Sequence, residues 1–185
     1  MMLKVIEKQP VIKATEFDMR PLRFSDAGLI ELAMSDGRVA KNTCSIPHPL
    51  PPGSAMAMIE RADRDDRKVD MWAMDGTKTG LEEVMGLVSL ARIDCGQSEI
   101  SYWVSPAYWN TGVASSAVET LLETNPQNCR TIVASVFQDN PASARVLTNC
   151  GFEYLGDAEA FCIARGNKVP TWTYTIRLDC GENAS

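Results

Sequence analysis

A glycine-containing turn between a predicted strand and a predicted helix is the segment best suited to chemistry. It reads WNTGVAS at residues 109–115, with small residues at Gly112 and Ala114. The first backbone N–H groups of a helix have no partners inside the helix and lie at the positive end of its dipole. Small residues let an anion such as a pyrophosphate approach those groups. The alternative is a tight turn between strand and helix, in which the small residues only permit close packing.

A second segment, FQDNPASARVLTNCGF at residues 137–152, carries the signals of a helix start and a helix end. Asn140 is suited to cap the helix, Pro141 to its first position and Gly151 to the residue after its end. These signals alone require no function. Two common phosphate-binding patterns, G-x-x-x-x-G-K-S/T and G-x-G-x-x-G, do not occur in the chain.

The hydrophobic pattern predicts the elements that position these segments. Glu99, Ser101 and Trp103 share one face of an alternating strand at 99–104, which leads into a helix at about 112–123. Further helices are predicted after Ser25-Asp26 and from Ser54. The other predicted strands are 17–22, 69–74, 84–93, 131–137, 152–155, about 160–164 and 172–178. This order predicts an α/β or α+β fold, a mixed sheet with helices on both faces.

Composition and charge narrow the class of protein. The chain has 185 residues, of which 45% are hydrophobic and 23% charged, which fits one globular domain. Its net charge of −6 disfavours a nucleic-acid groove and slightly favours a cationic partner. No apolar run reaches the roughly 18 residues of a membrane helix, and charge begins too early for a signal peptide. The six cysteines form no C-x-x-C pair, so we expect a reduced, cytoplasmic protein without a metal site.

Taken together, the segments resemble the GNAT N-acetyltransferases. ISYWVSPAYWNTGVASSAV followed by DNPASARVLTNCGF is similar to the RimJ/RimL branch, which acetylates N-terminal α-amines of ribosomal proteins and other amines. MRPLRFSDAGLIELA resembles the opening strand and helix of that branch. The resemblance covers about residues 17–178. Independently of it, we expect the last residues, 180–185, to form a frayed tail. The resemblance implies a single domain with a mixed, mostly antiparallel sheet of about seven strands, and acetyl-CoA as cosubstrate.

The resemblance also implies which residues bind acetyl-CoA. Backbone N–H groups of the turn would bind the pyrophosphate, the edge of the 99–104 strand would pair with the pantetheine arm, and Asn140 would hydrogen-bond that arm. A backbone N–H near Trp103 or Val104 would polarise the thioester carbonyl. The turn residues concerned are Trp109, Asn110, Thr111, Gly112, Val113 and Ala114, with Ser115 adding a hydroxyl.

Acetyl transfer to an amine needs a base for the amine and an acid for the departing thiolate. An α-amine, with a pKa of about 7.7–8.0, needs less help than a lysine at about 10.4. Glu99 is the candidate base, acting through a water, or else a solvated carboxylate at a strand end. The resemblance makes Ser143 the candidate acid, because Leu147 stands where many relatives have a tyrosine. His48, in a proline-rich loop, is a weaker candidate base or a solvated side chain.

Several positions depart from the family pattern. Ser116 replaces a glutamate, Thr111 stands where a basic residue is usual, and a carboxylate expected after Gly-Phe aligns near Cys162, with Glu159 three residues earlier. The sequence therefore predicts a cytoplasmic N-acetyltransferase that works by direct attack in a ternary complex. Its acceptor would be a small amine or a protein N-terminus, including a ribosomal one, with no nucleic-acid or membrane partner, in a monomer or homodimer. The alternative is a non-catalytic acyl-CoA-binding sensor or partner-binding module on the same fold.

Overall fold

A computed structural model describes residues 9–94 and 96–178. Within these residues the α-helices are α1 (Ala27–Met34), α2 (Gly37–Ala40), α3 (Ser54–Ala62), α4 (Val113–Thr124) and α5 (Pro141–Asn149). The eight strands are β1 (Ile12–Lys13), β2 (Asp18–Pro21), β3 (Val69–Asp75), β4 (Gly86–Asp94), β5 (Gln97–Val104), β6 (Thr131–Phe137), β7 (Glu153–Cys162) and β8 (Asn167–Arg177). Among the described residues they form one sheet in the order β1-β2-β3-β4-β5-β6-β8-β7. The predicted tail beyond Leu178 lies outside the described residues.

The sheet is mixed and mostly antiparallel, as predicted, because β5 and β6 are the only neighbouring pair among the described strands that runs parallel. Two details of the prediction were wrong. The strands expected at 152–155 and 160–164 are one long strand, β7, whose register shifts between Tyr154 and Gly156. Ser54 does not cap α3, since Gly53 stands at the cap position and the Ser54 hydroxyl donates to the carbonyl oxygen of Pro51.

Helices cover both faces of the sheet, which confirms the predicted layering. On one face, α4 and α5 bury Val118, Leu121 and Leu147 against the sheet, in a cluster that includes the fully buried Trp72. On the other face, α1, α2 and α3 bury Ile30, Val39 and Ile59 against β3 and β4, among other side chains.

The sheet opens between its two parallel strands. Register pairs join β5 and β6 only at Gln97–Thr131, Ser98–Ile132 and Glu99–Val133. Beyond Glu99, β5 stays paired with β4 up to Val104, and β6 stays paired with β8 up to Phe137. The two strands therefore diverge, and a gap forms between their C-terminal halves.

Gly86 sets the approach of β4 to β5 beside this gap. A Cβ atom at Gly86 would lie 2.4 Å from the Trp103 carbonyl oxygen and 2.9 Å from Val104 Cα, and both are backbone atoms. We expect Gly86→Ala to lower the free energy of unfolding by about 1–3 kcal/mol, the range typical of overpacking. Urea denaturation measures this. Gly28→Ala in α1, where nothing lies within 4 Å, should instead be neutral or stabilising; equal losses at both sites would contradict the explanation.

Among the described residues, Cys44, Cys150 and Cys162 are free thiols, and the buried Cys129 thiol lies 3.0 Å from the Ser98 hydroxyl; Cys95 and Cys180 lie outside the described residues. Within 9–94 and 96–178, no group of three or more histidine, cysteine, aspartate or glutamate side chains is arranged to hold a metal ion. No helix in that part of the chain is long and apolar enough to cross a bilayer.

Candidate active site

A cavity of about 450 Å³ lies at the C-terminal end of β5, between the turn at 109–115 and the first turns of α5; we call it the larger cavity. It brings together the two segments that the sequence singled out. Its lining comprises Val39, Asn42, Thr43, Tyr102, Trp103, Val104, Tyr108, Trp109, Asn110, Gly112, Val113, Ala114, Ser115, Asn140, Ala142, Ser143, Arg145, Val146 and Asn149. Of the predicted cofactor residues only Thr111 is missing, and its hydroxyl donates to the Tyr108 carbonyl oxygen at 2.6 Å.

The N-terminus of α4 faces the larger cavity with its backbone uncapped. Gly112, the residue before the helix, has φ 84° and no side chain accepts a hydrogen bond from the first turn. Asn110 is also left-handed, with φ 60°, a conformation that asparagine adopts more readily than most residues. The turn thus leaves the first N–H groups of a twelve-residue helix available to an anion.

The free edge of β5 is the second feature of the larger cavity. Successive residues of a strand direct their N–H and C=O groups to opposite edges. The Thr131 N–H donates to the Gly96 carbonyl oxygen, and the Trp109 indole donates to the Val104 carbonyl oxygen at 2.8 Å. The backbone N–H and C=O groups of the even-numbered residues of β5 therefore point into the gap, and those of the odd-numbered residues point toward β4. Of the two N–H groups that the sequence left open, that of Val104 faces the gap, and that of Trp103 faces β4.

A second cavity of about 340 Å³ lies on the α1–α3 face of the sheet; we call it the smaller cavity. It shares Asn42, Thr43, Tyr102, Trp103, Asn140 and Ser143 with the larger cavity. Glu99 lines only the smaller cavity, together with Ser101 and Trp103, the three side chains that the sequence placed on one face. The gap between β5 and β6 therefore joins two cavities, with the two predicted catalytic residues on its walls.

Hydrogen bonds fix the geometry where the two cavities meet. The Asn140 side chain accepts from the Ser143 backbone N–H at 3.3 Å and donates to the Ser143 hydroxyl oxygen at 3.2 Å. Across the gap, the Tyr102 hydroxyl donates to the Ser143 carbonyl oxygen at 3.0 Å. Burial raises the pKa of Tyr102 well above its usual value, so this phenol keeps its proton. Asn140 thus caps α5 as predicted, and Tyr102 ties β5 to α5.

Three other residues considered in the sequence lie away from the two cavities. His48 is exposed, and its ring packs against Gly37 at the start of α2. Cys162 is buried, and its thiol donates to the Thr43 carbonyl oxygen at 3.3 Å. Glu159 is exposed on β7, with Lys168 at 4.0 Å. None of the three lines either cavity, so Glu99 is the carboxylate that the fold brings to the gap.

Sequence reasoning missed Arg145 and Tyr102. Arg145 is the only basic side chain among the described residues that line the larger cavity, where no acidic side chain accompanies it. A helical spacing would have revealed it: positions 142, 145, 146 and 149 all line the cavity, and residues at i, i+3, i+4 and i+7 share one face of a helix. Tyr102 was assigned to a strand face, which did not indicate its hydrogen bond to α5.

The model of the acetyltransferase (GNAT) domain family matches residues 17–153, most of the chain. The chain belongs to this family. An uncharacterized N-acetyltransferase, YoaA of Bacillus subtilis, is 24% identical over 176 residues, which cover 90% of this chain and 96% of that protein. The prediction of an N-acetyltransferase is confirmed, and acetyl-CoA is its cosubstrate.

Solved structures of GNAT acetyltransferases share the fold. RimL, the ribosomal L7/L12 α-N-protein acetyltransferase solved with coenzyme A, superposes with a TM-score of 0.79 at 15% identity, covering 92% of this chain and 99% of its own. Spermidine N-acetyltransferase from Vibrio cholerae, solved with CoA and spermine, superposes with a TM-score of 0.75 at 16% identity, covering 89% of this chain and 97% of its own. These likenesses confirm the predicted fold across nearly the whole chain.

The residues of the larger cavity fit an acetyl-CoA molecule chemically. An anionic phosphate chain needs donors and positive charge, which the uncapped N-terminus of α4 and Arg145 provide. An extended arm with amide groups needs an unpaired strand edge, which β5 provides beyond Glu99.

Proposed function

We propose that this GNAT enzyme transfers the acetyl group of acetyl-CoA to a primary amine, by direct attack in a ternary complex. The observation that carries the proposal is the meeting of two cavities in the gap between β5 and β6, on Tyr102, Trp103, Asn140 and Ser143. A donor held in one cavity and an amine held in the other would be in contact there. Positioning of this kind supplies a large part of the rate enhancement in two-substrate reactions.

The larger cavity would hold acetyl-CoA, which supplies an electrophilic thioester carbonyl. The N–H groups of Val113, Ala114 and Ser115 would bind its pyrophosphate, since they begin α4 without caps. The β5 edge would pair with the pantetheine arm, and the Val104 N–H would stabilise the oxyanion. One Asn140 amide hydrogen is engaged by Ser143, and an amide carries two, so the second would be available to the arm.

Glu99 would accept the proton of the amine. Trp103 lies four residues further along β5, which is about 13 Å at the usual rise of a strand. Because a glutamate side chain does not span that distance, the proton would pass through water in the smaller cavity. The Ser101 hydroxyl, on the same face and between the two, lines that path.

Ser143 would return a proton to the thiolate. Its hydroxyl oxygen accepts from Asn140, so its own proton is directed elsewhere. We expect Ser143→Ala to lower kcat by about 100-fold, the lower end of the contribution of general acid catalysis, without changing the Kd of acetyl-CoA. Stopped-flow thiol release measures kcat. Tyr102→Phe is the comparison, because Tyr102 donates to the Ser143 carbonyl oxygen; a larger loss in Tyr102→Phe than in Ser143→Ala would transfer the acid role to the phenol.

Arg145 would interact with the phosphates of the cosubstrate. It has no ion-pair partner among the described residues and is exposed at the cavity wall. We expect Arg145→Ala to raise the Kd of acetyl-CoA and of free CoA equally, by about 10-fold to 150-fold, the effect of losing a hydrogen bond to a charged group worth about 1.5–3 kcal/mol. Isothermal titration calorimetry at low and high salt measures it. Arg64→Ala is the control, since Arg64 pairs with Asp66 and lines neither cavity; equal effects would contradict the assignment.

The experiment that tests the proposal is calorimetric titration with acetyl-CoA and with free CoA, followed by thiol release with a panel of primary amines. Binding of both ligands, together with thiol release that depends on the amine, is the expected result. Binding without release for any amine would favour the non-catalytic acyl-CoA-binding module. Absence of binding would refute the assignment of the larger cavity.

A further inference from the structure

The smaller cavity has an unusual distribution of charge. Glu99 is the only carboxylate among the described residues that line it, and no lysine, arginine or histidine accompanies it. The other polar side chains are hydroxyls, the amides of Asn42 and Asn140, and the Cys44 thiol. Burial and the nearby Cys162 and Glu99 raise the pKa of this thiol. The described lining of the cavity therefore carries a single carboxylate and no cationic side chain.

The remaining walls are mainly apolar. On the sheet, Met71 of β3 stands opposite Ser89 of β4, which stands opposite Ser101 of β5, and Leu87 stands in the next row beside Trp103. Met58 of α3 and Ile46 of the loop after α2 close the cavity above this floor. Methionine side chains adapt to different apolar shapes, so this wall suits an aliphatic or aromatic group.

A polyamine does not match this distribution. It would bring one or two further ammonium groups several ångströms from the reacting amine, and each needs its own anionic partner when it leaves water. The described lining offers a partner for one cation only. An acceptor with a carboxylate beside its amine would be repelled by Glu99.

We propose that the acceptor is a primary monoamine whose neighbouring side chain is apolar: the amine lies on the Glu99 side and the apolar group packs against Met58, Met71 and Leu87. This inference rests on the proposed function and names its substrate class. The same chemistry occurs in the α-amine of a peptide that begins with an apolar residue and in a free amine of similar shape. The transfer forms an amide bond, breaks the thioester bond, and passes the amine proton through Glu99 while the thiolate takes up a proton.

The test is kcat/KM from thiol release with four matched acceptors: leucinamide, a tripeptide that begins with leucine, the same tripeptide beginning with aspartate, and spermidine. We expect one of the two leucine acceptors to exceed spermidine and the aspartate peptide by at least about 10-fold, the discrimination given by one well-matched pocket. The ratio of the leucine acceptors identifies the source, peptide or free amine. If the kcat/KM of spermidine or of the aspartate peptide equalled that of both leucine acceptors, the inference would be overturned while acetyl transfer stayed intact. If no amine caused thiol release, the proposed function itself would be refuted.

A second carboxylate should change this preference. In Met58→Glu we expect the ratio of spermidine to leucine acceptor, in kcat/KM, to rise at least about 10-fold, because the cavity would then pair two cations. Met56→Glu is the matched control, since Met56 lies on the same helix, is 37% exposed and does not line the cavity. Ser89→Asp places the charge on the sheet instead and serves if Met58→Glu does not fold. An unchanged ratio in both folded cavity variants would overturn the assignment of the wall.

Discussion

Replacement of Glu99 by glutamine is expected to lower kcat by about 10²-fold to 10⁴-fold, the usual contribution of a positioned general base. The Kd of acetyl-CoA should stay unchanged, because Glu99 lines the smaller cavity and not the larger one. Glutamine keeps the size and polarity of the side chain but cannot accept the amine proton. The measurement is kcat from thiol release at saturating amine, beside calorimetric titration of the cosubstrate.

The pH profile separates loss of a base from loss of structure. Without Glu99 the reaction depends on the amine that is already neutral, and that fraction grows as the pH rises through the amine pKa, about 7.7–8.0 for an α-amine. The deficit of the Glu99→Gln enzyme should therefore shrink as pH rises. Glu159→Gln is the control, because Glu159 is exposed and lines neither cavity. A Glu99→Gln enzyme with kcat within twofold of the unmodified enzyme would exclude Glu99 as the base.

Local signals explain which parts of the fold were predictable. The ends of α5 were predictable because they are marked by residues at or next to the ends themselves: Asn140, Pro141 and Gly151. Strand β6 was predicted at 131–137, as observed. The long strand β7 was split in prediction because Gly156 interrupts its pattern, and the register shift that accommodates the interruption depends on pairing with β8. Pairing partners distant in sequence are not visible in a local pattern.

The same distinction applies to the site. The turn at Gly112 is a local feature, so its part in the larger cavity was predictable. The smaller cavity is built from separate segments, with Met58 on α3, Met71 on β3 and Cys44 in a loop, and only tertiary packing brings them to Glu99. Tyr102 shows what a local pattern misses within one strand. The alternation of the strand predicts on which face of the sheet the Tyr102 side chain lies, but not its hydrogen bond to Ser143, which is 41 residues away in sequence.

Replacement of Gly112 by valine is expected to raise the Kd of acetyl-CoA and of CoA by about 10-fold to 100-fold, equivalent to losing one charge-assisted hydrogen bond. Gly112 has φ 84°, and a branched side chain in this region costs about 1–2 kcal/mol. A Cβ there would meet no protein atom within 4 Å, so the side chain would project into open space at the uncapped N–H groups of α4, where the phosphates would bind. Calorimetric titration gives both Kd values.

Backbone strain and loss of the anion site are separable because the chain offers a second glycine of the same conformation. Gly80 has φ 79°, has no protein atom within 4 Å of an added Cβ, and lines neither cavity. Gly80→Val should therefore lower the melting temperature about as much as Gly112→Val while leaving both Kd values unchanged. Gly112→Ala has the same backbone strain but adds only a methyl group near the N–H groups of α4. Its Kd for acetyl-CoA should therefore lie between those of the unmodified enzyme and Gly112→Val. If Gly112→Val folds and binds acetyl-CoA as tightly as Gly80→Val does, the phosphates do not bind at the start of α4.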